Sequence, residues 1–386
     1  MKIVFAIDSF KGSLSSLEAG NAAAEGARRA FPDAECVVRP LADGGEGTVE
    51  ALAAGLGGEL RTVTVTGPAG GSVCATYGVV DGLSTGKMPV VPVGKTAILE
   101  MAQAAGITLV SGAEKNPLHT TTFGVGEMIR DALAHGCRRF IVGIGGSATN
   151  DGGAGMLQAL GFRLLDKAGQ EIPRGGEGLA RLNRIDRAAV LPELESCAFR
   201  VACDVTNPLC GAMGASAVFG PQKGATPEMV ATLDAALAHF AEVSGGEPEA
   251  AGAGAAGGLG FAFRTFLGGE LKRGVEIVLE ETRLAEAIQE ADLVVTGEGR
   301  LDAQTVMGKA PIGVARLAKR LGKPVIAFSG CVTPDAGAVN EHGIDAFFPI
   351  LREVTTLETA LEKGHAAANL AATAEQVFRC FRLGAH

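Results

Sequence analysis

Acids, bases and hydroxyls gather in this sequence at a few short glycine-rich stretches, each of which follows an apolar run. The first is DSFKGSLS, which sets Asp8, Ser9 and Lys11 beside Ser13 and Ser15. LADGGEGT does the same with Asp43, Gly45, Glu46 and Thr48, and TGEGRLDAQT with Glu298, Arg300, Asp302, Gln304 and Thr305. These are the residue types that phosphoryl transfer needs. Carboxylates take a hydroxyl proton or hold a divalent cation, and Lys or Arg neutralises the transferring oxygens. Each stretch alone has a plainer reading: Asp43 as a helix cap, Lys11 as a solvated side chain, Arg300 and Asp302 as a surface ion pair. Three of them at comparable places point to a site.

Further stretches add glycine-rich loops. RRFIVGIGGSATNDGGAGMLQALG leaves an apolar run at Ile144 and passes through Gly145, Gly146, Ser147, Asn150 and Asp151 into a helix, which predicts backbone amides arranged around an anion. GAGAAGGLG, with Gly252, Gly254 and Gly257, reads as a second phosphate-facing nest or a lid. Gly143, Gly145 and Ala148 match a loose dinucleotide fingerprint, but Thr149 to Gly153 intervene before the helix, unlike a Rossmann turn. VGKT at 93–96 resembles the tail of a P-loop, yet Pro89 stands at the first glycine position, and Ala303 does so ahead of Gly308-Lys309. Asp204, in VACDVTNPLCG, follows another apolar run and reads as a metal ligand, a general base, or a turn-forming Asp ahead of Asn207-Pro208. No Gly-x-Ser-x-Gly occurs, and none of the six histidines lies in a comparable loop, so chemistry by a Ser-His pair is not indicated.

The elements that carry these loops follow from periodicity. KIVFAID at 2–8 predicts a strand, and 16–30 an amphipathic helix behind a Ser15/Glu18 capping box. A strand near 35–39 and a helix over 47–55 complete a βαβα start. The C-terminal third repeats the alternation: ADLVVTGEG as a strand running into a loop, a helix over 309–321, strands in KPVIAFSG and DAFFPI, and an Ala-rich helix over 356–381. Between them, ELRTVTVTG and SVCATYGVV predict an antiparallel pair. The fold class expected is α/β with two α/β domains: a discontinuous parallel-sheet (Rossmann/flavodoxin-like) domain formed by both termini at 1–62 and 285–386, and a mixed α/β domain over 63–284 inserted in it. A chain of 386 residues with 47% hydrophobic and 20% charged residues can fill two such cores.

Net charge of −9, with no Lys/Arg cluster interleaved with aromatics, argues against nucleic acid as a partner. No apolar window is long enough for a membrane span, and the apolar run after Lys2 is too short for a signal peptide. The eight cysteines show no C-x-x-C pair or zinc spacing, so reduced thiols and a cytoplasmic setting are expected.

Taken in order, DSFKGSLS, LADGGEGTVEAL, NPLHTTTFGVGE, GIGGSATNDGGAGMLQALG, VACDVTNPLCGAMGASAVFGPQKGAT, GAGAAGGLGFA and TGEGRLDAQTVMGKAPIGVA resemble the bacterial glycerate kinases of the type that includes the glucarate- and glyoxylate-pathway enzymes. The resemblance spans nearly the whole chain. Ile7 stands where the family usually has Pro, and Ala212-Met213 where Pro is common; neither change removes a functional group. The resemblance implies ATP-dependent phosphorylation of D-glycerate at the 2-hydroxyl, with Mg²⁺ and with the site in a cleft between two α/β domains. On that reading Asp204 and Asp302 are the base and metal ligand, and Lys11 and Arg300 the cations. Asp8, Ser9, Asp43, Gly45, Glu46 and Glu298 meet the substrate, while Gly145, Gly146, Ser147, Asn150, Asp151, Gly254 and Gly257 meet the nucleotide phosphates. Phosphorylation at the 3-hydroxyl, a nicotinamide-dependent hydroxyacid reductase and a non-catalytic sensor of small acids are the rival readings.

Overall fold

The computed structural model describes residues 1–42, 45, 47–81 and 94–384. Asp43 and Glu46 lie outside the described residues. The chain forms two compact units, Met1–Asp43 with Glu50–Gly57 and Val275–His386, and Gly44–Val49 with Gly58–Gly274.

The first unit is built on strands β1 (Lys2–Ile7), β2 (Glu35–Val38), β11 (Leu293–Leu301), β12 (Val325–Val332) and β13 (Ala346–Pro349), ordered β13-β12-β11-β1-β2 and parallel throughout. β1 is an interior strand between β11 and β2, buried from Ile3 to Ile7, as expected of a continuous apolar run in a sheet covered on both faces. From β1 the chain steps outward through β2 on one side and, later, through β11, β12 and β13 on the other. The strand order therefore reverses between β1 and β11, and in open α/β sheets ligands bind beyond the strand ends at such a reversal.

The helix Ser16–Ala30 starts as its sequence requires. The Ser15 hydroxyl accepts from Glu18 N, and the Glu18 carboxylate accepts from Ser15 N. It packs on the helix Lys363–Gly384 around an alanine-lined contact with Gly26 at the closest approach. A Cβ at Gly26 would lie 2.1 Å from the Ala371 carbonyl oxygen, so the two helices meet backbone to backbone there. Gly26→Leu is expected to destabilise this unit by roughly 3 kcal/mol through overpacking, read as a lower urea midpoint at unchanged m.

The second unit holds β3 (Glu59–Thr66), β4 (Ser72–Val80), β5 (Lys95–Glu100), β6 (Cys137–Gly143), β7 (Arg163–Leu165), β8 (Arg184–Asp186), β9 (Ala198–Ala202) and β10 (Glu270–Lys272). Its main sheet has the order β10-β9-β6-β5-β4-β3. The β3–β4 and β4–β5 pairings are antiparallel and the rest are parallel, while β7 and β8 form a separate antiparallel pair. The core includes Tyr77, Phe140, Phe199, Phe240, Phe261 and Phe263, with Phe140 and Phe199 stacked at 4.7 Å. Among the described residues no helix is long and apolar enough to cross a membrane.

Candidate active site

At the reversal point of the first unit the end of β1 lies beside the end of β11. Asp8 N donates to Gly297 O at 2.9 Å, and Asp8 Oδ1 accepts from Ser9 N at 2.7 Å. A tight turn follows, closed by Phe10 N to Leu14 O at 2.8 Å, with Gly12 at φ 78° where a side chain would be strained. Lys11 is exposed on this turn. A Cβ at Gly299 would come within 3.4 Å of Lys11 N and Phe10 Cα, so the glycine lets the turn lie directly on β11.

β11 is longer than its sequence suggests. TGEGR reads as the start of a loop, yet pairing continues through Glu298 opposite Ser329 and Arg300 opposite Cys331. The two glycines make this extension tolerable, because a Cβ at Gly297 would lie 2.1 Å from Phe328 O, and one at Gly330 would lie 2.4 Å from Gly299 O. Glu298 and Arg300 are thus strand residues held at fixed places, with Glu298 buried and Arg300 exposed.

The turn after β11 collects the chemistry. Asp302 Oδ1 accepts from Gln304 N at 3.0 Å and Thr305 N at 3.2 Å, the geometry of an Asx-turn. Its Oδ2 lies 3.3 Å from Arg300 Nε. The Thr305 hydroxyl is fully buried and donates to Glu298 Oε1 at 2.7 Å. Lys309, one residue before the helix Ala310–Arg320, places Nζ at 3.6 Å from both Glu298 Oε2 and Asp302 Oδ1. Burial pushes the Glu298 carboxyl above its ordinary 4.5, while the Thr305 hydroxyl and the Lys309 charge hold it down. Two carboxylates thus share one ammonium at the mouth of a parallel sheet. Sequence reasoning missed Lys309 because it was weighed only against the P-loop pattern, which it fails; its place at the start of the helix after β11 was the available signal.

In the second unit the expected residues separate. Asp204 follows β9, is exposed, and accepts from Gly274 N through Oδ1 at 3.2 Å. Gly45, ahead of the helix Thr48–Gly55, accepts from Thr48 Oγ1 at 2.7 Å. Gly145 and Gly146 are exposed, but the stretch from Ser147 to Asp151 is buried. Asn150 and Asp151, expected at a phosphate, turn inward instead. Asn150 Nδ2 donates to Ser216 Oγ at 2.9 Å. Asp151 Oδ2 accepts from Thr122 N at 2.8 Å, Thr122 Oγ1 at 2.9 Å and Gly155 N at 3.2 Å, and its Oδ1 from Gly153 N at 3.1 Å. It caps the short helix Ala154–Ala159 and ties it to the Thr122 loop. Gly254 and Gly257 also serve close packing. A Cβ would meet Pro208 O at 2.1 Å from Gly254, and Thr149 O at 2.0 Å from Gly257. Ala256, Gly257 and Gly258 form a left-handed turn at φ 51°, 68° and 93°. Lys223, fully buried, donates from Nζ to Thr149 O at 2.6 Å and so fastens this junction from a third side.

Residues 3–382 match the model of the glycerate kinase family. The chain belongs to the glycerate kinase family. It is 50% identical over 391 residues to the glycerate kinase of Haemophilus influenzae, with all of both chains covered. It is 50% identical over 383 residues to the glycerate 2-kinase of Escherichia coli K12, covering 97% of this chain and 98% of that one. A crystal structure assigned to a glycerate kinase 2 of Salmonella typhimurium LT2 superposes with a TM-score of 0.88 at 48% identity, covering 100% of this chain and 99% of that one. Membership makes the chain a kinase, which removes the reductase and the sensor as readings. The α/β class and the resemblance to glycerate kinases hold.

Proposed function

We propose that the chain transfers the γ-phosphoryl group of ATP to the 2-hydroxyl of D-glycerate, giving 2-phosphoglycerate and ADP. The observation that carries the regiochemistry is the near-full-length similarity to an enzyme named glycerate 2-kinase. The strand-end cluster of Glu298, Arg300, Asp302, Thr305 and Lys309 supports the phosphoryl-transfer chemistry.

Mg²⁺ fits the donor set. An ion held by a carboxylate pair would complete its shell with water and phosphate oxygens. Glu298 and Asp302 are such a pair, hard oxygen ligands already arranged around an ammonium. When bound, the ion would neutralise charge on the transferring phosphoryl oxygens.

The chain's own residues do the rest. Arg300 and Lys11, both exposed at the switch point, offer positive charge to the glycerate carboxylate or the phosphates, and Arg300 can do so bidentately. As the new O–P bond forms and the bond to the ADP oxygen breaks, the 2-hydroxyl proton passes to a carboxylate. The pairing of Asp302 with Glu298 favours the cation-ligand role for Asp302, and Asp204 is the other candidate carboxylate. Gly145 and Gly146 remain the phosphate-facing candidates by exposure, and Gly45 remains a substrate-binding candidate.

ADP release coupled to NADH oxidation is expected only when D-glycerate and MgATP are both present. A folded protein that releases no glycerate-dependent ADP would overturn the proposal.

A further inference from the structure

Lys309 sets its ammonium against both carboxylates of the turn region. Its ammonium is 3.6 Å from one oxygen of each carboxylate, beyond hydrogen-bond length to either, and its side chain is 36% exposed. The two carboxylates, by contrast, are fixed by other groups. Thr305 Oγ1 holds Glu298 through Oε1, and the Gln304 and Thr305 amides hold Asp302 through Oδ1. Their side chains are 11% and 13% exposed. The acids are therefore anchored by other groups, and the lysine is their more exposed partner.

We propose that Lys309 is a resident counter-cation of the Glu298–Asp302 pair and surrenders that place to the divalent ion when MgATP binds. The inference rests on the kinase reading above. Two anchored carboxylates, Glu298 on β11 and Asp302 on the turn after it, repel each other when nothing lies between them, and a cation beside both offsets that repulsion. A doubly charged ion competes for the same oxygens with twice the charge, and displacement moves the lysine no further than its own stem allows. The swung-out ammonium then faces the phosphate oxygens that arrive with the ion. Lys309 thus sets a threshold against binding of the metal without nucleotide, because free metal must evict it without that compensation.

The test is Mn²⁺ binding to the nucleotide-free full-length enzyme, followed by loss of the aqua-ion signal in electron paramagnetic resonance. Lys309→Met is expected to bind Mn²⁺ about tenfold more tightly than wild type, and Asp302→Asn added to it to abolish the gain. Lys309→Arg, which keeps the charge, is expected to stay within about twofold of wild type and serves if the Met variant fails to fold. Equal or weaker Mn²⁺ binding by Lys309→Met, tighter binding by Lys309→Arg, or no measurable binding by any of them would overturn the inference. The readout needs no turnover. An enzyme that phosphorylates glycerate while showing unchanged Mn²⁺ affinity in Lys309→Met loses this inference alone, whereas loss of wild-type turnover removes the reading beneath it.

Discussion

Asp302→Asn is expected to lower kcat/KM for glycerate phosphorylation about 10³-fold while leaving the thermal midpoint within a few degrees of wild type. The separation follows from what each Asp302 oxygen does. Oδ1 accepts from Gln304 N and Thr305 N, and an asparagine carbonyl can accept from the same amides, so the turn after β11 keeps its shape. The charge has no such substitute. Arg300, whose Nε lies 3.3 Å from Oδ2, and Lys309, whose Nζ lies 3.6 Å from Oδ1, lose the anion that orients them. A cation site would keep only Glu298. Steady-state kinetics beside a melting curve decide it: activity within threefold of wild type would remove Asp302 from the reaction, and a collapsed melting temperature would make its role structural.

The second large effect lies in the other unit. Burial pushes the Lys223 ammonium from 10.5 down to about 7, with Asp151 pulling the other way. An unfolded chain takes up this proton below about pH 10.5, whereas the folded protein takes it up only below about 7. Between those values the unfolded state holds more protons, so stability rises with pH through the window and is lost as pH falls from about 10 to about 7. The whole span is on the order of 4–5 kcal/mol. Lys223→Met has no such dependence. The stability difference, wild type minus Lys223→Met, is therefore expected to grow by roughly 3 kcal/mol between pH 7 and 9.5, and to be flat below about pH 6. Asp151, carried above its ordinary 3.8 by burial, contributes with the opposite sign, and comparing the two proteins cancels most of it. Denaturant unfolding of both proteins at four pH values is the check. Parallel curves would mean that Lys223 is charged and compensated in the fold.

Much of this architecture is readable from local signals. Continuous apolar runs become the buried parallel strands β1 and β12, alternation in ELRTVTVTG and SVCATYGVV becomes the β3–β4 pair, and the Ser15/Glu18 box caps its helix in the structure. The site is legible to a lesser degree, for physical reasons. Glycine has two uses, close approach to a ligand and close approach to other backbone, and sequence does not separate them. Gly257 and Gly254 serve the second, packing against Thr149 and Pro208. Polar residues in a glycine-rich loop are equally ambiguous: Asp151 satisfies four internal donor groups. The extension of β11 past Glu298 is decided by its partner strand, and so is visible only in the pairing. Lys223 and Lys309 are single lysines whose meaning lies in what surrounds them, a buried carbonyl in one case and two carboxylates in the other.

The central claim, that this member of the glycerate kinase family makes 2-phosphoglycerate from ATP, is tested most directly by ³¹P NMR of the protein with MgATP and D-glycerate. The expected spectrum shows the γ-phosphate signal falling as ADP and a single 2-phosphoglycerate resonance grow together. Growth of 3-phosphoglycerate instead would contradict the position of transfer, and ATP signals unchanged by glycerate in a folded sample would contradict the reaction itself.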